Sequence, residues 1–95
     1  MTIIDAIGAP AVLEQLAEEC CELGKAALKL SRVLRGENPT PVSLEAAQFD
    51  FAEEAGDVTL VLNLLHRHGF RIANQKQQND KMVRWISRLK QEGKL

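Results

Sequence analysis

The chain has 95 residues, 45% of them hydrophobic, and a formal net charge of -1. That length predicts one domain, residues 1–95, with a small core and apolar side chains left over for a partner subunit. The near-neutral balance offers no global basic field for nucleic acid, and no apolar run has the length of a membrane span or of a signal-peptide core.

In chain order, Thr2 as N-cap and Gly8 as stop predict a short helix over 2–8, and Pro10 suits the first turn of the next helix. Over 11–34, Leu13, Leu16, Cys20, Leu23, Ala27, Leu30 and Leu34 recur at intervals of three and four, and Val12, Ala26 and Val33 widen the stripe. Cys20 is expected in the core. It diverges from Cys21 by about 100° on a helix, so the two cannot readily bridge. Free thiols without Cys-x-x-Cys spacing point to a reducing, cytoplasmic setting and away from zinc.

The segment 36–41 (GENPTP) breaks the periodicity. Ser43 is the expected N-cap of a third helix over 44–68, whose stripe is Leu44, Ala47, Phe51, Val58, Val61, Leu62 and Leu65. Phe49, Leu60 and Leu64 form a second patch, placed to face another subunit. His66, His68 and Gly69 mark the helix end. A last helix over about 74–92 carries Met82, Val83, Ile86 and Leu89 on one side and a basic stripe of Lys81, Arg84 and Arg88 on another. These elements predict an all-α antiparallel helical bundle.

The chemistry-bearing pattern is a repeat of acid pairs, Glu19 with Glu22 and Glu54 with Asp57, each three residues apart. A spacing of three puts both side chains on neighbouring turns of one face. On a helical wheel Glu19 and Glu54 fall inside their apolar stripes, Glu22 and Asp57 fall at the edges, and Glu18 points to solvent. A carboxylate on an apolar face is costly unless it is paired or metal-bound. Two facing helices that each aim one acid inward would share a cation, and oxygen ligands suit Mg²⁺ or Mn²⁺. Glu14, Glu18 and Glu37 read as ordinary solvated acids.

Glu18-Glu19-x-x-Glu22, about thirty residues, then Glu54-x-x-Asp57-Val58 resembles the EExxE…ExxD signature of the MazG-like all-α nucleoside triphosphate pyrophosphohydrolases. Leu23-Gly24-Lys25 and the last helix, with Lys81-Met82-Val83-Arg84-Trp85, are also similar to that family, and the likeness covers roughly 10–90. The resemblance implies hydrolysis of a nucleoside triphosphate between its α and β phosphates, giving a monophosphate and pyrophosphate. It implies Mg²⁺ (or Mn²⁺) held by Glu19, Glu22, Glu54 and Asp57, and a homodimer or dimer of dimers. Lys25, Lys81 and Arg84 become candidates to grip phosphates, and Trp85 to stack on a base or simply to pack. The family's Lys and Asn four apart become Lys76 and Asn79, three apart here.

Two rival expectations accompany this one. A phosphoribosyl-ATP pyrophosphohydrolase resembles the same layout. A non-catalytic helical interaction module would keep the acid pairs only as a remnant of the fold.

Overall fold

The computed structural model describes residues 1–37 and 42–95, so the expected break at 36–41 lies partly outside the described residues. Among these the structure is helical with no strand: α1 (Ile3–Ile7), α2 (Ala9–Arg35), α3 (Leu44–Arg67) and α4 (Gln75–Gln91).

The helix starts follow from side-chain caps. Thr2 and Asp5 form a reciprocal capping box on α1, with bonds of 3.0 and 3.1 Å. Ser43 Oγ accepts from the Ala46 N–H at 3.0 Å on α3. Asn74 and Gln77 form a second capping box on α4, both bonds 2.9 Å. Gly8 joins α1 to α2 at φ 90°, a backbone region that side chains rarely enter, so the chain turns there in a single residue. Gly36 ends α2 in the left-handed region at φ 71°, its N–H meeting the carbonyls of Arg32 and Val33. α2 begins at Ala9, two residues before its apolar stripe, with Pro10 in its first turn as expected.

α2 and α3 pack along each other as an antiparallel hairpin. Val12 of α2 clusters with Val61 and Leu65 of α3, whereas Glu19, further along α2, meets Glu54 and Asp57, earlier in α3. α1 lies across one end, where Ile4 completes the cluster and Ala9, Leu16 and Leu64 pack around it. Ala47 is the other buried apolar residue among those described. The apolar stripes are therefore wider than the chain itself covers. Leu13, Leu34 and Leu44 stay exposed, and so do Phe49 and Leu60. Cys20, expected inside, is exposed with Cys21. It lies on the flank of α2 that turns away from α3, where this hairpin brings no neighbour.

α4 packs against none of the other three helices, and none of its residues is buried. The radius of gyration is 17.1 Å, against about 12 Å for a compact chain of this length. No helix among the described residues is long and apolar enough to cross a membrane.

With so few fully buried side chains, each carries a large share of the hairpin's stability. Leu65 is 2% exposed, and Leu65→Ala is expected to cost about 2–5 kcal/mol. Urea unfolding followed by far-ultraviolet circular dichroism would read this as a lower midpoint with an unchanged slope.

Candidate active site

About two turns beyond the Val12–Val61–Leu65 cluster, the hairpin brings three acids together. Glu19 of α2 and Glu54 and Asp57 of α3 each offer a carboxylate oxygen, and these atoms all lie within 4.8 Å of one another. Glu19 and Glu54 are half-buried and Asp57 is exposed, in keeping with their wheel positions. The two inward acids are held by helix phase: each sits on the packed stripe of its helix, so the apolar residues that join α2 to α3 also fix the carboxylates.

Glu22, the fourth expected ligand, stands outside this trio. It is exposed and lies 3.9 Å from the Lys25 ammonium, so Lys25 is engaged by its own helix neighbour in the isolated chain. Lys81, Arg84 and Trp85 lie on α4, which does not touch the hairpin. The structure thus gathers Glu19, Glu54 and Asp57, leaves Glu22 and Lys25 at the margin, and sets the α4 residues apart.

The electrostatics follow from the crowding of like charge. The Glu54 carboxyl is held above its ordinary value, first because burial penalises the ionised form, then by the negative charges of Asp57, Glu22, Glu19 and Glu53. That Glu22 acts on Glu54 places its charge near the trio although its oxygens stand apart from it.

Two features escaped the sequence reading. Gln15, one turn before Glu19, donates from Nε2 to Glu19 Oε1 at 2.8 Å and so orients that carboxylate. The spacing of four was visible, but an amide on a charged surface carries no signal by itself. The second feature is a cleft of about 300 Å³ beside the acids. Ile3 and Ile7 of α1, Val12, Leu60 and Leu64 form its apolar walls, and Gln15, Glu19 and Asp57 its polar edge. A mostly apolar concavity with a few convergent polar groups is the usual form of a small-molecule site.

The donor set fits a hard divalent cation, since it offers carboxylate oxygens from two rigid helices and a neighbouring amide that fixes one of them. Such an ion would also relieve the repulsion that raises Glu54. Against the known protein families, curated proteins and solved structures, the chain finds no match.

The raised Glu54 carboxyl has a definite sign in stability. The folded chain holds this proton more tightly than the unfolded chain. The destabilisation is therefore absent below the ordinary value of 4.5, grows as pH rises through the folded value, and persists above it. Glu54→Gln is expected to raise the melting temperature of the metal-free protein at neutral pH and to lose that advantage in acid near pH ~4. Thermal melts at both pH values check this, and a variant no more stable than the parent at neutral pH would exclude the repulsion.

Proposed function

We propose that this protein is a Mg²⁺-dependent nucleoside triphosphate pyrophosphohydrolase, cleaving a ribo- or deoxyribonucleoside triphosphate to the monophosphate and pyrophosphate, and working as a homodimer or dimer of dimers. The observation that carries the reading is the convergence of Glu19, Glu54 and Asp57 from two helices within 4.8 Å, at positions that also match the MazG-like acid signature.

Glu19, Glu54 and Asp57 would hold the ion, with Glu22 one helical turn from Glu19 as the further acid. Bound there, Mg²⁺ would offset phosphate charge, polarise a phosphoryl oxygen and lower the pKa of a bound water. The protein's own part is positioning and electrostatics. Gln15 holds the Glu19 carboxylate in place. A carboxylate oxygen not committed to the ion can orient the attacking water or accept its proton. The cleft walled by Ile3, Ile7, Leu60 and Leu64 offers apolar surface to the nucleoside while the phosphates lie toward the acids. An amphiphilic substrate of that kind suits the juxtaposition of apolar walls and carboxylates better than a bare inorganic anion does.

The second reading, a helical interaction module without catalysis, draws on the amount of apolar surface the chain leaves exposed, including Phe49, Leu60, Val83 and Trp85. Pyrophosphate release from a panel of nucleoside triphosphates and phosphoribosyl-ATP, with and without Mg²⁺, separates the readings. Release that requires Mg²⁺ and falls roughly 10²-fold or more in Glu54→Gln is expected, the scale of losing one strong electrostatic contact to a transition state. No release from any nucleotide leaves the interaction module standing.

Gln15 acts through Glu19, so its effect should appear in metal affinity. Gln15→Ala is expected to weaken Mg²⁺ activation by about 10–100-fold, while turnover at saturating Mg²⁺ stays within a few-fold of the parent. A Mg²⁺ titration of the rate measures both, and Gln15→Glu, which adds a charge where an amide stood, should not restore the parent curve.

A further inference from the structure

No other described helix packs against α4, and none of its residues is buried. At about 100° per residue, Trp85, Leu89, Met82 and Ile86 fall side by side on it, in one apolar strip. Lys81 and Arg88 border the strip beside Trp85, with Arg84 further round that flank, and Lys90 borders it beside Ile86. None of these four cations has an acidic partner among the described residues, whereas Lys76 meets Asp80 at 2.9 Å. The charge is local to this end of the chain. Residues 68–95 carry seven bases and two acids, residues 1–67 eleven acids and five bases.

This arrangement selects among the occupants a basic helix can take. Nucleic acid is gripped by cations on phosphates and by aromatic side chains on bases. The contact face of α4 has one aromatic and is otherwise aliphatic, with the cations confined to its rims. A lipid surface asks for that pattern. The apolar strip sinks to the boundary between headgroups and acyl chains, and the long stems of Lys and Arg let their charges reach back to the phosphates. Trp is favoured at that boundary.

We infer that α4 lies along the surface of an anionic phospholipid bilayer, seating the Trp85–Leu89–Met82–Ile86 strip at the headgroup boundary and setting Lys81, Arg84, Arg88 and Lys90 against the lipid phosphates. The helix rests on the bilayer and does not cross it. No core contact is lost on docking, because α4 has none to lose. The bilayer supplies the apolar contact that a lone helix of this length needs. The acidic hairpin of α2 and α3 is repelled by the same surface, so the acid trio stays on the water side. This docking is independent of the enzymatic reading.

The test uses the full-length chain with vesicles of phosphatidylcholine, either alone or with about 30% phosphatidylserine. Trp85 is the single tryptophan, so its emission reports on α4. A blue shift on the mixed vesicles, quenching by lipids brominated in their acyl chains, and release at high salt are expected. Lys81→Gln combined with Arg88→Gln should weaken co-sedimentation with the mixed vesicles roughly 25-fold, at about 5-fold per charge. Trp85→Ser should weaken it about 10-fold or more, and circular dichroism should show the helices of each variant retained. Failure to co-sediment at millimolar lipid, equal binding to both kinds of vesicle, or bound protein whose Trp85 escapes the brominated lipids would each overturn the docking. An emission shift that grows with protein concentration before any vesicle is added would overturn it too, by assigning the strip to a contact between copies. Tighter binding to duplex DNA or single-stranded RNA than to mixed vesicles of equal phosphate concentration would overturn it in favour of nucleic acid.

Discussion

The packing of two helix stripes around Val12, Val61 and Leu65 governs the rest of the molecule. It sets the rotation of α2 and α3 about their axes, and that rotation aims Glu19 and Glu54 at each other. The carboxylates contribute nothing favourable to this arrangement by themselves, since burial and mutual repulsion both hold Glu54 above its ordinary titration value. Apolar contact about two turns away must supply the free energy that keeps like charges together. A site assembled this way is preorganised: a cation entering it would meet oxygens already in place, and the cost of gathering them falls on folding rather than on binding.

The parts of this arrangement that were legible in the sequence are those fixed within one helix. Thr2, Ser43 and Asn74 announce helix starts because a side-chain oxygen beside an unpaired backbone N–H has one main use. Gly36 announces a stop for an equally local reason. The inward phase of Glu19 and Glu54 is a matter of 100° steps along one helix, and both acids are half-buried as expected. What depends on the distance between helices was not legible. The wheel gives Glu22 and Asp57 equivalent places at the stripe edge, yet Asp57 joins the trio and Glu22 turns to Lys25. The stagger of α2 against α3 makes the difference, and no single-helix pattern encodes it. Cys20 failed for a related reason. Its stripe is apolar, but part of that stripe extends past the width that one neighbouring helix covers.

α1 has a larger part in the site than its five residues suggest. Its capping box gives it a defined start, Gly8 turns it sharply onto α2, and Ile4 anchors it in the core. Ile3 and Ile7 are then left over the cleft beside the acids. Without them the acid trio would sit on an open helix face, in water, where a carboxylate cluster holds an ion weakly. With them the polar edge borders a low-dielectric wall, and interactions across the site are less screened. The N-terminal turn and the acids on the two long helices therefore form one unit, although they lie far apart in sequence.

α4 presents the opposite problem. Its capping box and its arginine and lysine near the C-terminal end make it a well-specified helix. An isolated helix of 17 residues is nevertheless marginal in water, because helical stability in proteins comes chiefly from packing of an apolar face. Met82 and Trp85 on that face are more than half exposed, Ile86 and Leu89 are half-buried, and no other described helix packs against it. Phe49 and Leu60 on α3 are likewise more than half exposed. Two apolar stripes, one edged with acids and the other with bases, are thus left exposed among the described residues.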